Sequence, residues 1–196
     1  MVNQAPVGIL LAAGSGRRFD PAGGQNKLTA LLPSGVAVAV QSAKNLCAAL
    51  PRVIVVVQNQ QLTDPLTALG CTVLVFAGAR QGMGASLAFA TDYVATRHPE
   101  AGSVIVALAD MPHIKTSTIK DIVARTMAGS DLVQPRYNDQ AGHPVGFSKR
   151  HFPALMALTG DTGARQLLGQ YGVDYVNVDD PGVIQDIDYL SDLQGL

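Results

Sequence analysis

The sequence predicts a three-layer α/β/α fold built on a mostly parallel sheet. Short apolar runs, some of them rich in β-branched residues, alternate in the first half of the chain with segments of helical length. Such runs are typical of strands that are buried on both faces, and their alternation with helices indicates β-α-β units. The four runs predicted as strands are Val7–Leu11, Val53–Val57, Thr72–Phe76 and Val104–Leu108.

Helices are predicted between these strands. The first ends near Leu50, because Pro51 cannot continue a helix. The segment 78–84, which contains three glycines, is predicted to be a loop. The remaining helices of this half are expected at 62–69, 85–96 and 116–128.

The second half departs from simple alternation. Leu132–Pro135 and Pro144–Phe147 are predicted strands on either side of a turn at Asn138–Gly142, and this pattern indicates a β-hairpin insertion. Further along, we expect a helix at 149–158 with His151 on its exposed part, and a short helix at 164–168. A strand at 175–178 and a terminal helix containing Asp192 complete the prediction.

Composition favours one intracellular domain. The 196 residues suit a single domain with a sizeable core. The net charge of -1 gives no reason to expect nucleic acid or an anionic membrane as a partner. No apolar stretch is long enough to cross a bilayer, so we expect a cytoplasmic protein. Cys47 and Cys71 lack metal-ligand spacing and are expected to be buried free thiols.

The first strand leads into a loop with the chemistry of polyphosphate binding. Ala12–Gly16 is a turn of small residues whose backbone N–H groups can approach a ligand closely, and Arg17, Arg18 and Lys27 follow it. The loop lacks the Gly-Lys-Ser/Thr of a P-loop. The dinucleotide fingerprint fails as well, because Phe19 stands where its last glycine belongs. A glycine loop followed by two arginines suits a triphosphate better than NAD.

Asp110 follows the fourth strand in the segment A-D-M-P. A carboxylate at a strand end, with a proline stiffening the turn, is well placed to hold a hard divalent cation. The alternative is that Asp110 caps the helix that begins near Thr116, although the separation is large for a cap. Both Asp110 and the glycine loop are expected at the carboxyl edge of the sheet, where α/β proteins bind ligands.

The loop L-A-A-G-x-G-x-R followed by a lysine resembles the signature of nucleotidyltransferases of the molybdenum cofactor type, the MobA-like NTP transferases. Within them it is most similar to the molybdenum cofactor cytidylyltransferases. Four further segments carry the resemblance: Q-G-M-G-A-S at 81–86, A-D-M-P at 109–112, G-D-T-G-A-R at 160–165 and D-I-D at 186–188. One departure is the longer spacing from Arg17 to Lys27, with residues 19–24 inserted.

The resemblance implies a Rossmann-like nucleotidyltransferase sheet in one domain spanning 1–196. Its nucleotide-binding half would cover about 1–112 and its acceptor-binding half about 113–196. It implies catalytic roles for Arg17, Lys27 and Asp110, with Mg²⁺ held by Asp110. Either Asp186 or Asp188 would share the metal while the other caps the last helix, and we favour Asp186 for the metal and Asp188 for the cap. The implied nucleotide contacts are Leu11, Ala12, Ala13, Gly14, Gly16, Arg17, Lys27, Gly82, Gly84 and Ser86. The implied acceptor contacts are His143, Asp161 and Arg165.

Simpler structural roles remain open for several of these residues. Ser86 can belong to an ordinary helix N-terminus, and His143 can be a turn residue before a proline. Asp161 or Thr162 can cap the next helix while Arg165 is solvated.

The resemblance also implies an activity, in which CMP passes from CTP to the phosphate of molybdopterin and pyrophosphate is released. A molybdenum-enzyme apoprotein or its chaperone would then receive the product. Guanylyl enzymes of the family use GTP and tend to carry glycine at the position of Ala13, so Ala13 favours CTP. An NAD(P)H-dependent oxidoreductase of the nicotine blue type is an alternative that the failed fingerprint disfavours. A non-catalytic cofactor carrier would not need Lys27 and Asp110 together.

Overall fold

Eight strands form one sheet in the computed structural model, which describes residues 5–13, 19, 25–160 and 163–194. The four predicted strands of the first half are all present, with bounds that differ by at most one residue. The strands are β1 Val7–Ala12, β2 Val53–Val57, β3 Thr72–Val75, β4 Ser103–Leu108, β5 Leu132–Tyr137, β6 Gln140–Ala141, β7 Val145–Ser148 and β8 Asp174–Asn177.

The helices are α1 Val38–Cys47, α2 Thr63–Ala68, α3 Met83–Arg97, α4 Thr116–Met127, α5 Phe152–Met156 and α6 Arg165–Gln170. Short 3₁₀ turns occupy 60–62, 77–81, 149–151, 181–184 and 190–194. The segment predicted as a loop at 78–84 is therefore largely helical, and α3 starts within it. The helix predicted at 149–158 is a 3₁₀ turn followed by the short α5, and the terminal helix is a single 3₁₀ segment. No helix within the described ranges is long and apolar enough to cross a membrane.

The sheet is parallel except at the hairpin. Strands β3, β2, β1 and β4 lie side by side and are parallel, and β7 then pairs antiparallel with both β4 and β5. Strand β8 adds to the other side of β5 in parallel. Two strands antiparallel to β7 are parallel to each other, so β5 and β8 run in the same direction as β4. Their carboxyl ends therefore lie at the same edge of the sheet as those of β1 and β4.

The predicted hairpin is confirmed, and its turn is tight. Tyr137 of β5 pairs with Gln140 of β6, which leaves Asn138 and Asp139 as the two loop residues. Both have positive φ, 47° and 63°. This backbone matches the twist of the flanking strands, and Asn and Asp tolerate it better than other non-glycine residues.

Apolar side chains fill a core on each face of the sheet, as expected for three layers. On one face, residues of α1 and α4 such as Leu46 and Ile122 pack over Leu10 and Val55. On the other face, residues of α3 and α5 pack over the neighbouring strand positions. Strands β1, β2 and β4 are covered on both sides, which explains why their sequences are almost continuously apolar.

The expectation that His151 is exposed is wrong. Its side chain is buried, with 3% of the residue exposed, and its ring lies 4.9 Å from the ring of Tyr171 between centroids. The 3₁₀ turn that precedes α5 changes the angular phase of residues 149–151, so a single continuous helical pattern assigned His151 to the wrong face.

Asp180 joins the C-terminal segment to the start of α4. Its carboxylate is 1% exposed and accepts hydrogen bonds from the backbone N–H of Lys115 at 2.8 Å, the hydroxyl of Thr118 at 2.7 Å and the backbone N–H of Gly182 at 3.1 Å. It supplies the acceptor and the negative charge that favour a helix N-terminus. Residues 181–194 are thereby held against the loop that follows β4.

We expect Asp180→Ala to lower the free energy of unfolding by about 2–4 kcal/mol, because it leaves buried donors without an acceptor. Urea denaturation would measure the loss. Asp179→Ala is the matched control, since the neighbouring carboxylate is exposed and should change stability by less than about 0.5 kcal/mol. Equal effects of the two substitutions would contradict this role for Asp180.

Candidate active site

The carboxyl ends of β1 and β4 are adjacent and bring two predicted segments together. Leu11 pairs with Leu108, and the backbone N–H of Ala109 donates to the Leu11 carbonyl at 3.0 Å. The start of the glycine loop and Asp110 therefore leave the sheet side by side. Leu11 and Ala12 are buried in β1, and Ala13 follows at half-burial. Gly14, Gly16 and Arg17 lie outside the described residues.

Lys27 returns from the glycine loop to this edge and lies between two carboxylates. Its Nζ is 2.6 Å from Asp110 Oδ2 and 3.3 Å from Asp188 Oδ1, and the residue is 7% exposed. The side chain of Asn26 fixes the turn by accepting from the backbone N–H of Leu28 at 2.9 Å. Burial lowers the pKa of Lys27, but Asp110 and Asp188 together outweigh it, so the pKa is raised above 10.5. The amine is fully protonated at neutral pH.

Helix α1 holds the loop that carries Asp110. The Ser42 hydroxyl donates to the Ala109 carbonyl at 2.9 Å, and Asn45 Nδ2 donates to the carbonyls of Pro112 and Ile114 at 2.9 and 3.0 Å. These bonds fix the backbone on both sides of Asp110.

The C-terminal segment closes the site from the other side. The backbone N–H of Ile187 donates to the Asp110 carbonyl at 2.8 Å. Upstream, a Cβ added to Gly182 would lie 2.4 Å from the His113 carbonyl oxygen, so only glycine permits this close approach. Asp186 and Asp188 on either side of Ile187 are thereby placed at the same sheet edge as Asp110.

The capping roles differ from those expected. The carboxylate that accepts backbone N–H bonds at the last turn belongs to Asp192, which binds the N–H groups of Asp188 and Tyr189 at 2.9 and 2.7 Å. The Asp188 carboxylate instead contacts Lys27, because the ammonium offers a charged partner. At the start of α4, the capping acceptor is Asp180, whereas Asp110 contacts Lys27.

The charges of Asp110 and Asp188 act on the third carboxylate of this edge, that of Asp186. Partial burial, followed by the negative charges of Asp188 and Asp110, raises the pKa of Asp186 above its ordinary value of 3.8. Within the described part of the chain, no three His, Cys, Asp or Glu side chains are arranged as a complete metal site. Mg²⁺ commonly uses one or two carboxylates together with substrate phosphates, and the oxygen donors of Asp110 and Asp186 fit that use.

A cavity of about 540 Å³ opens beside the cluster. It is lined by His113 and by residues between 184 and 192, including Asp186 and Asp188. This volume is within the range of small-molecule pockets, and its acidic wall is shared with the site around Lys27.

The predicted nucleotide loop at 82–86 contacts the predicted acceptor loop. The backbone N–H of Gly84 donates to the Gly160 carbonyl at 2.8 Å, and a Cβ on Gly84 would lie 2.8 Å from the carbonyl oxygens of both Thr159 and Gly160. Gly82 has a φ of 111°, which favours glycine. Ser86 is buried, and its hydroxyl contacts the Gly82 carbonyl at 3.4 Å. Local packing therefore accounts for these residues without a ligand.

The predicted acceptor residues have different surroundings. His143 follows β6 and lies close enough to Asp110 to feel its charge, and burial lowers the pKa of the ring despite Asp110 and the Val106 carbonyl. Its Nδ1 is buried and has no hydrogen-bond partner among the described residues. Arg165 is exposed at the start of α6. Asp161 lies outside the described residues.

This sheet topology, with a buried lysine and carboxylates at the ends of neighbouring parallel strands, is the architecture of a nucleotidyltransferase. The chain belongs to the family of MobA-like NTP transferase domains, whose model matches residues 8–175. It is therefore an enzyme of the nucleotidyltransferase class, as the sequence analysis predicted.

Similar proteins support this assignment over nearly the whole chain. The purine catabolism protein PucB of Bacillus subtilis strain 168 is 30% identical over 195 residues, which cover 93% of this chain and 91% of PucB. The crystal structure of Rv0371c from Mycobacterium tuberculosis H37Rv has a TM-score of 0.81 and 27% identity, covering 98% and 96% of the two chains. A manganese complex of Rv0371c matches with a TM-score of 0.74 and 26% identity, covering 96% and 95%.

A more distant structure shares the fold. Molybdopterin-guanine dinucleotide biosynthesis protein A from Archaeoglobus fulgidus has a TM-score of 0.64 at 17% identity, covering 95% of this chain and 94% of its own.

Two residues that position the site, Ser42 and Asn45, are not among those predicted from the sequence. They lie three positions apart on α1 and donate hydrogen bonds to the loop that carries Asp110. Both are polar residues on the side of α1 that is otherwise apolar and faces the core. A polar pair at helical spacing was the available signal.

We expect Asp186→Asn to raise the melting temperature of the metal-free protein near pH 8, because it removes one of the mutually repelling carboxylates. Folding raises the pKa of Asp186, so its ionised form is the less stable one in the native state. The cost is absent below about pH 3.8 and develops as the pH rises through the raised pKa. Differential scanning fluorimetry from pH 4 upward should therefore show a growing difference from wild type.

Asp121→Asn is the matched control, since it removes an exposed carboxylate on α4. It should change the melting temperature little at any pH. A lower melting temperature for Asp186→Asn without metal would contradict the repulsion.

Proposed function

We propose that this enzyme transfers CMP from CTP to the phosphate of molybdopterin in a Mg²⁺-dependent reaction that releases pyrophosphate. The observation that carries the proposal is the contact of Lys27 with Asp110 at the ends of β1 and β4, beside the start of the glycine loop. The resemblance to molybdenum cofactor cytidylyltransferases supports the acceptor, and Ala13 supports cytosine over guanine.

The proposed reaction is an in-line displacement. An oxygen of the acceptor phosphate attacks the α-phosphorus of CTP, and a new P–O bond forms as the bond to the β-phosphate bridging oxygen breaks. Pyrophosphate leaves with that electron pair. No protein nucleophile is required, because positioning and charge neutralisation supply the catalysis.

Lys27 is suited to offset negative charge on the α-phosphate. Its raised pKa keeps it protonated, so it acts as a fixed positive charge and not as a base. Asp110 and Asp186 would hold Mg²⁺, which supplies positive charge to the phosphate oxygens when bound. Arg17 is proposed to bind the phosphates as well. The backbone of Leu11 and of the small residues Ala12–Gly16 is proposed to contact the nucleotide.

The two halves of the chain take the two substrates in this proposal. Residues up to about 112 bind CTP, with Gly82, Gly84 and Ser86 beside it. Residues from about 113 onward bind the acceptor through His143, Asp161 and Arg165. The proposed role of His143 is supported by its position close to Asp110. The product would pass to a molybdenum-enzyme apoprotein or its chaperone.

We expect CTP with Mg²⁺ to raise the melting temperature by about 5–10 °C at roughly 100 times its Kd, through mass action on the native state. GTP, ATP and each nucleotide without metal should give smaller shifts. The Asp110→Ala variant should fold normally and lose the Mg²⁺-dependent part of the melting-temperature shift. A larger shift with GTP than with CTP would replace cytosine by guanine in the proposal. The absence of a metal-dependent shift with every nucleotide would overturn it.

We expect Lys27→Ala to lower the rate of pyrophosphate release from CTP and molybdopterin by roughly 10²–10³, the effect of one preorganised donor. Lys120→Ala is the matched control, because Lys120 is exposed on α4. Circular dichroism would establish that both variants fold. Turnover of folded Lys27→Ala equal to that of Lys120→Ala would remove Lys27 from catalysis.

A further inference from the structure

Two thiols that the proposed function does not use lie in contact. Cys47 Sγ and Cys71 Sγ are 3.5 Å apart, although the residues are 24 positions apart in the chain. Both are free thiols in the structure. Cys47 is the last residue of α1, and Cys71 immediately precedes β3. The chain has two cysteines, so each has the other as its sole intramolecular partner.

We propose that Cys47 and Cys71 are a thiol modification site, at which a low-molecular-weight disulfide such as oxidised glutathione converts the pair to a reversible intramolecular disulfide. The proposal is independent of the substrates of the transfer reaction. It depends on the contact between the two sulfur atoms and on their unequal exposure.

Cys47 is suited to react first. It is half-buried, whereas Cys71 is buried with 6% of the residue exposed. The contact with Cys71 outweighs burial and lowers the pKa of Cys47, which favours its thiolate form over that of Cys71. The same contact and burial raise the pKa of Cys71. The thiolate is the attacking species in disulfide exchange, and access controls its rate.

The exchange balances in two steps. The Cys47 thiolate attacks one sulfur of oxidised glutathione, forming a mixed disulfide and releasing one glutathione thiolate. Cys71 loses its proton and attacks Cys47 Sγ, which breaks the mixed disulfide and releases the second glutathione. One glutathione disulfide is reduced to two thiols, and the two protein thiols are oxidised to one disulfide.

The cross-link would stabilise the part of the fold that supports the active site. It would join the end of α1 to the start of β3, and α1 carries the Ser42 and Asn45 contacts to the Asp110 loop. Closing a loop of this length restricts the unfolded chain. We therefore expect the melting temperature of the oxidised protein to be several degrees above that of the reduced protein, the shift that a stabilisation of a few kcal/mol gives in a chain of roughly this length.

The test is intact-mass spectrometry of the full chain after incubation with oxidised glutathione. We expect a loss of about two mass units, reversed by dithiothreitol, with no retained glutathione. Cys71→Ser should instead keep one glutathione on Cys47, since the second step is blocked. Cys47→Ser should react roughly tenfold or more slowly than Cys71→Ser, because the remaining thiol of Cys71 is buried and access limits the exchange.

Three outcomes would overturn the proposal. They are an unmodified wild-type chain, a wild-type chain that retains glutathione, and a disulfide-linked dimer on a non-reducing gel. Wild type alone decides between these outcomes, so the test does not depend on the folding of either variant.

Discussion

The buried ammonium of Lys27 allows several carboxylates to occupy one edge of the sheet. It lies within 3.3 Å of both Asp110 and Asp188, and Asp186 feels the charge of both neighbours. Removing ions from water costs free energy that only close pairing recovers. Pairing with Lys27 does not cancel the repulsion among the carboxylates, because the charges of Asp188 and Asp110 still raise the pKa of Asp186. Ionisation of Asp186 is therefore unfavourable in the folded protein, so the grouping of these carboxylates reduces stability.

That arrangement depends on restraints from outside the site. Ser42 and Asn45 of α1 fix the backbone around Asp110, and the N–H of Ile187 binds the Asp110 carbonyl. Asp180 ties the C-terminal segment to α4 from a buried position. These are hydrogen bonds from rigid helices or from close backbone contacts, so they hold the carboxylates in place against their mutual repulsion.

The fold could be predicted from the sequence because parallel strands leave a strong signal. Val53–Val57 is apolar throughout because helices cover both faces, and Asn138-Asp139 marks the hairpin turn. Much of the site could be predicted only as a set of separate segments. The segment D-I-D and Asp192, four residues after it, offer several carboxylates that could cap the last turn. The sequence does not show which of them caps the turn and which one pairs with Lys27. His151 was misplaced because a 3₁₀ turn changes the helical phase.

Gly84 shows why resemblance to a motif does not by itself identify a ligand contact. The segment Q-G-M-G-A-S predicts close approach by a nucleotide, and a missing side chain is what such an approach needs. In the structure, the space beside Gly84 is taken by the carbonyl oxygens of Thr159 and Gly160. A glycine that allows close backbone packing and a glycine that allows close approach of a phosphate look the same in a sequence, because both positions require a residue without a Cβ. The contact also means that the two loops assigned to different substrates are packed together. A methyl group added at Gly84 would displace the backbone of Thr159 and Gly160, so the positions of the two loops depend on each other.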